Sequence, residues 1–433
     1  MTSVAAASTL NRRERQERRA FFVEHRSATR LINRDFVLLW QAQLVSQFGN
    51  QAFTIAMTFW TASTTRSATL TGLVLMAGVL PVVLIGPFAG TLVDRCASRL
   101  RVVVACDLVS GIVVSAFALA LLARPDALRP SLLFTVAFFV GICNAFLEPA
   151  ISALVPDVVP RDRLEGANAF RQSSRQVTVL AAQGMGGVLY VVVGPAMLFF
   201  IDGLSFLFAA ATELFLRNPQ SAFRTPQWSA PVTTIDGFRY VRRQSGMLAF
   251  LLSIAVFNAL LMPMSVLLPV YATEYLRADV RWYGFLLAAI SAGAIAGCTA
   301  AGALRVDGAS RRRLLVTALA LLACTLIVMG QVRMRSIALP LAFATGALTG
   351  TINVLTLSIL QRRTTGEFLG RVLGLYSTVT RAFVPIGLVA GGSIADLTGR
   401  NVPLVYAICG GFALATVLVL TLRPAARAYI AST

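Results

Sequence analysis

Apolar residues along this chain gather into long blocks rather than alternating stripes. Runs of about 19 to 28 residues, long enough to cross a hydrocarbon core of roughly 30 Å, lie near 36–61, 68–93, 101–123, 131–155, 168–192, 195–216, 247–271, 282–304, 314–332, 337–360, 372–395 and 402–422. Six stand on each side of a polar stretch. The pattern predicts an all-α integral membrane protein: a basic tail at 1–33, a six-helix bundle at 34–217, a central loop at 218–246, a second six-helix bundle at 247–422 and a short tail at 423–433.

The two halves repeat one another. The segment GTLVDRCASRLR from Gly90 to Arg101 returns as GALRVDGASRRR from Gly302 to Arg313, and Gly72, Leu75, Ala77, Ala89 and Leu92 match Gly284, Leu287, Ala289, Ala301 and Leu304 at the same offset. The match continues into a polar loop, where apolar composition cannot produce it. A parallel duplication of a hydrophobic half is the layout of a transporter whose halves rock around a central site.

Composition agrees, with 57% hydrophobic and 13% charged residues and a mean hydropathy of +0.74, which excludes a soluble pair of domains. All 38 basic residues are arginines. One set of loops carries Arg95, Arg99 and Arg101, then Arg161, Arg163, Arg171 and Arg175, then Arg239, Arg242 and Arg243, then Arg311 to Arg313, and last Arg362, Arg363 and Arg371. The alternate loops hold fewer. This bias places both termini in the cytoplasm, with the chain multi-pass in the membrane. The net charge of +19 is then explained by anionic inner-leaflet lipids, without nucleic acid.

Several chemistries are excluded. The single histidine, His25, lies in the tail, so no zinc site or histidine-based triad assembles, and Cys96, Cys106, Cys143, Cys298, Cys324 and Cys409 include no CxxC pair. No phosphate-binding GxxxxGK[ST] loop occurs, so the chain itself does not hydrolyse ATP. The expectation is a protein that is not an enzyme, has no cofactor or metal, and acts as a monomer.

Helical periodicity marks a wet cavity. Gln43, Gln47, Asn50, Gln51, Thr54 and Thr58 lie on one stripe of the first helix, Gly141, Asn144, Glu148 and Ser152 on the fourth, and Thr345, Thr349, Asn353 and Thr356 on the tenth. The fourth and tenth share the motif VGICN against TGTIN; the seventh adds Asn258. A lipid-facing stripe of this kind is costly.

Ionisable residues inside spans are the sharpest signals, because each is expensive unless paired or hydrated. Glu148 is a candidate for proton or substrate coupling, or for an ion pair with Arg175 or Arg171. Arg381, near mid-span on a face with Gly374, Thr378 and Pro385, is either a clamp for an acidic substrate group or the counter-ion of a coupling carboxylate. Asp107 lies about 9 Å along the third helix from Arg101, which suggests a basic-end ion pair, and Asp202 suggests structural bonding. Asp94 stands at the C-terminal end of its helix, where the dipole disfavours a negative charge, so it needs Arg95, Arg99, Arg101 or a facing helix N-terminus.

The motifs RDFVLLWQAQLVSQFGNQ at Arg34 to Gln51, GPFAGTLVDR at Gly86 to Arg95, EPAISALVPDVVPRDRLEGANAF at Glu148 to Phe170, IDGLSF at Ile201 to Phe206, DGFRYVRR at Asp236 to Arg243 and LGRVLG at Leu369 to Gly374 resemble the major facilitator superfamily, in its bacterial drug:proton antiporter branch of macrolide efflux pumps and the enterobactin exporter. The resemblance implies that helices one, four, seven and ten line the pathway, and that Asp94 contacts the start of the eleventh helix, with Gly90 allowing close approach, to latch the halves when the outer side is open. It implies export of an amphipathic organic compound in exchange for protons. The fifth helix departs from the antiporter pattern, with Ala182-Gln183 in place of Gly-Pro before Gly186 and Gly187. A dedicated exporter of an endogenous siderophore or natural product is the alternative, and a non-transporting membrane sensor or scaffold is the alternative of another class.

Overall fold

The computed structural model describes residues 33–96, 98–123, 130–159, 163–216, 234–303, 308–364 and 366–431. Apart from Asn33, the expected basic tail lies outside the described residues. No strand occurs among the described residues. The first half contains α1 (Arg34–Thr65), α2 (Ala68–Arg95), α3 (Arg99–Ala123), α4 (Pro130–Val158), α5 (Leu164–Val193) and α6 (Pro195–Glu213). A short helix, α7 (Thr234–Arg243), leads into α8 (Met247–Val270), which continues as one wide π-turn over Tyr271–Tyr275. Then follow α9 (Val280–Ala303), α10 (Gly308–Gln331), α11 (Arg335–Arg363), α12 (Gly366–Leu397), α13 (Val402–Leu422) and α14 (Pro424–Ala431).

Among the described residues ten helices are long and apolar enough to span a membrane, and α5 makes an eleventh when its two parts are taken together. The long helix that falls short is α1, because the polar stripe dilutes its hydropathy. Length decides its case: its 32 residues rise about 48 Å. Its start is fixed by Asn33, whose side chain accepts from the Phe36 N–H at 2.7 Å while its amide donates to the Val158 carbonyl at 2.7 Å. Internal prolines such as Pro149, Pro263 and Pro385 are tolerated because packed neighbours stand in for the lost hydrogen bonds.

Two of the smaller elements cover the basic end of the second half. On α7, Val241 is buried and Tyr240 stacks on Phe368 of α12 with ring centroids 4.6 Å apart. The segment expected as a C-terminal tail is helical in α14, where Tyr429 and Ile430 are buried and Arg363 of α11 donates to the Tyr429 carbonyl. The cation satisfies a helix-end carbonyl that would otherwise be orphaned.

Side-chain packing divides the molecule along its length. At the end bearing the arginine-rich loops, here the basic end, each half has its own core. Phe36, Leu39, Val103, Ile151 and Leu154 pack in the first half; Phe250, Leu319, Leu360 and Leu420 pack in the second. At the opposite end one cluster runs through both halves, joining Ile55, Phe59 and Ala68 to Leu267, Tyr271, Tyr283 and Leu388. The halves are therefore bonded at one end and separate at the other.

Candidate functional site: a cleft between two halves

The opposite-end closure is built on α2 and α12. Gly72 of α2 lies directly against the Leu388 backbone carbonyl of α12, and Gly392 of α12 against the Ala68 carbonyl of α2. Any side chain at either place would occupy the partner's backbone. Asp396, in the last turn of α12, accepts from the Ser67 hydroxyl at 2.7 Å, the Ala68 N–H at 2.8 Å and the Thr69 N–H at 2.9 Å. One carboxylate thus caps the N-terminus of a helix in the other half, where the dipole favours negative charge. Further in, Gly187 of α5 would place a Cβ 2.9 Å from the Gly284 nitrogen of α9, so these paired backbones nearly touch. Beside them the Ser291 hydroxyl donates to the Gln183 side-chain oxygen. Gln183, which stands in the Gly-Pro position of the resembling antiporters, thus supplies a polar bond across the halves.

Below this closure the same helix faces stand apart. Arg381 is seven residues before Leu388, and Gly374 seven before that, so all three share the stripe of α12 that meets α2 at the opposite end. Yet Arg381, Thr378 and Gly374 are exposed, and a Cβ on Gly374 would meet nothing within 4 Å. Arg381 therefore faces the open cleft. Among the described residues no carboxylate pairs with it.

The stripe of α1 faces the same space unevenly. Gln47, Asn50, Gln51 and Thr54 are half-buried, but Gln43 is buried. Thr54 and Thr349 turn their hydroxyls back to carbonyls one turn earlier, and the Asn258 amide does the same to Ile254 at 2.9 Å. Asn144 is half-buried and Asn353 exposed. Glu148 pairs with Arg175 of α5 at 2.9 Å, with the two side chains 48% and 45% exposed. That pair is hydrated rather than buried.

The ion pair expected between Asp107 and Arg101 is not formed. Six residues separate them, which on a helix is far from the three or four that place side chains together. Arg101 is exposed, whereas Asp107 is fully buried. It lies within hydrogen-bonding reach of Glu213 on α6, a residue the sequence reading did not single out. Asp202 is also fully buried, with the Ser205 hydroxyl donating to it at 3.4 Å. Of the four residues grouped with Asp94 for gating, Arg99 bonds to Asp157 at 3.2 Å and to the Ala153 carbonyl at 3.0 Å within its own half. The Arg101 side chain is exposed at the surface, and a Cβ on Gly90 would meet nothing within 4 Å. The side chains of Asp94 and Arg95 lie outside the described residues.

Two six-helix repeats closed at one end of a central cleft define a membrane transporter of the major facilitator fold, not an enzyme. The transmembrane secretion effector family matches residues 27–432, and the chain belongs to that family. It is 24% identical over 381 residues to macrolide efflux protein A of Streptococcus pyogenes, covering 84% of this chain and 90% of that protein. It is 27% identical over 376 residues to the multidrug efflux pump Tap of Mycolicibacterium fortuitum, with the same two coverages, 84% and 90%. Among solved structures it resembles the nucleoside transporter NupG, with a TM-score of 0.71 at 12% identity over 90% of this chain and 98% of that one. A bacterial homologue of the iron transporter ferroportin in its inward-facing state gives a TM-score of 0.69 at 17% identity, over 90% and 99% of the two chains. The protein is a multi-pass membrane transporter.

Proposed function

We propose that this protein exports an amphipathic organic compound across the bacterial cytoplasmic membrane in exchange for protons. Both termini and the basic end lie in the cytoplasm, and the bundles at 34–217 and 247–422 rock as units about the cleft. The observation that carries the reading is the cleft itself: sealed at the opposite end by the shared core and the Asp396 cap, open at the basic end, and lined there by the α1 stripe and Arg381. In this orientation the structure is inward-open, ready to take a compound from the cytoplasm or inner leaflet. The macrolide and multidrug efflux activities of the relatives named above support an amphipathic drug as substrate. The anionic inner leaflet attracts the basic loops.

Arg381 sets the substrate's chemistry. A permanent cation with no carboxylate partner in a hydrated cleft favours compounds with an acidic or strongly accepting group, and its planar fork prefers a bidentate one. That also admits the narrower reading, a dedicated exporter of an acidic natural product. The test is uptake into inside-out proteoliposomes with an imposed pH gradient, using one acidic and one neutral hydrophobic compound. Arg381→Lys should keep partial transport of the acidic compound and nearly full transport of the neutral one. Arg381→Ala should lose the acidic compound selectively. Full activity of Arg381→Ala on both would remove Arg381 from recognition, and no pH-driven uptake of any compound by the wild type would overturn the antiport reading.

A further inference from the structure

Behind the α1 stripe, the first half buries two carboxylic acids side by side. Asp107 of α3 and Glu213 of α6 are both 0% exposed and within hydrogen-bonding reach of each other. Both oxygens of Asp107 and the second oxygen of Glu213 lack a donor. The first oxygen of Glu213 accepts from the Gln43 amide at 3.0 Å. The other groups facing the pair are Cys106 beside Asp107, Cys143 of α4 and, further along α6, Asp202. Among the described residues no arginine contacts either acid. Two anions cannot share a dry site without a counter-charge, since one unpaired buried charge already costs several kcal/mol. What this site lacks is a donor between facing carboxylate oxygens, and a proton supplies it.

The second half shows that the fold does not need the acids. The repeat that aligns Gly90 with Gly302 and Arg99 with Arg311 aligns Asp107 with Leu319. Leu319 lies near Leu420 of α13 and Ile254 of α8, within the second half's apolar core. At the place where the first half buries Asp107, the second half thus packs a leucine against apolar neighbours. A polar cluster that an apolar one could replace is retained for a task.

We propose that Asp107 and Glu213 form the proton-carrying site of the transport cycle, with Gln43 linking it to the cleft. The inference rests on the antiport reading above. The pair holds one proton when neither side is open to it. Its way out runs from Glu213 to Gln43 and then to Gln47, one turn along the same stripe and half-buried at the cleft. In the inward-open state that way leads to the cytoplasm, so the proton is released there as the compound enters. The hydrated Glu148–Arg175 pair is left as a cleft-lining ion pair.

The variant that tests this replaces both acids with apolar residues, Asp107→Leu, as at Leu319 of the repeat, with Glu213→Leu. Because removing both acids leaves no buried charge unpaired, its thermal unfolding should match the wild type; Asp107→Asn and Glu213→Gln repeat the measurement with shape preserved. Proton-driven uphill transport should fall roughly tenfold or more while counterflow at equal pH stays within about twofold, as for loss of a proton-transfer group without loss of binding. Infrared spectra at neutral pH should show a protonated-carboxyl C=O band in the wild type that these variants lack. Uphill transport retained in the double variant overturns the proposal, and so does uphill transport driven by a sodium gradient alone. If the wild type shows no proton-driven transport, the antiport reading fails on its own, and the infrared band still decides whether this pair holds a proton.

Discussion

At one end of the α2–α12 pair, Gly72 touches the Leu388 carbonyl and Asp396 caps α2; at the other, Gly90 and Gly86 face open space. Gly90 lies five turns from Gly72, on the same face of α2, so one helix surface is closed at one end and bare at the other. The helices run antiparallel, and each carries an aspartate near its own C-terminus: Asp396 on α12, Asp94 on α2. A carboxylate is disfavoured at its own helix end and favoured at the start of a neighbour. The resemblance places Asp94 at the start of α12 in the outward-open state, as Asp396 stands at the start of α2 here. On that expectation the two ends would use one device alternately, since a rigid helix pair that pivots can satisfy only one of them at a time.

The comparison breaks most severely at Gly72. Gly72→Val puts a branched side chain where a backbone carbonyl lies, and overpacking of this kind costs about 1–3 kcal/mol. Only the closed end pays that cost, so the ratio of inward- to outward-open molecules should fall roughly five- to hundredfold, at tenfold per 1.4 kcal/mol. Spin labels at Gly86 and Ser377, both on the open faces, report the change as a shortened distance. An unchanged distance distribution would show that α2 and α12 do not form the seal.

Asp396→Ala sharpens the comparison with a smaller effect. It strips three donors of their acceptor without adding bulk, and loss of an N-cap costs typically about 1 kcal/mol. The same label distance should shift in the same direction by roughly fivefold in population. Asp396→Asn, which keeps a side-chain oxygen, should shift less. If Ala and Asn behave as the wild type, the cap is a bystander of closure.

Most of the helical architecture was legible in the sequence, because membrane spans are set by composition over long windows. The cleft-facing side of α12 was legible too, since Gly374, Thr378, Arg381 and Pro385 repeat at helical spacing. The hidden part was pairwise. Asp107 was matched to Arg101 by distance along the axis, although six residues turn the two to different sides of α3. Glu213 closes its span and Arg217 follows four residues later, the spacing of an ordinary helix-end pair, so its sequence context does not mark it. Its meeting with Asp107 depends on how α6 lies across α3, which neither segment records alone. The one hint was the repeat, where acid on one side answers leucine on the other. Asp396 is likewise unmarked in the sequence, because two of its three donors are backbone N–H groups, which every sequence supplies everywhere.

The smallest expected effect is at Asp94, and it has the opposite sign. If its carboxylate meets the start of α12 when the basic end closes, Asp94→Asn weakens only that state. A charge at a helix terminus is worth typically about 0.3–1 kcal/mol, so the inward-open share should rise roughly two- to fivefold. The sign is the informative part, because Asp396→Ala and Asp94→Asn both remove one carboxylate from the same helix pair. Were both only weakening the fold, both would lower thermal stability and neither would move the label distance in a fixed direction. Opposite shifts identify two ends of one switch. In the double variant the shifts should nearly cancel, since the sites stand at opposite ends of a long helix with no shared partner and their energies add. A double variant that follows Asp396→Ala alone would mean that the basic end closes without Asp94.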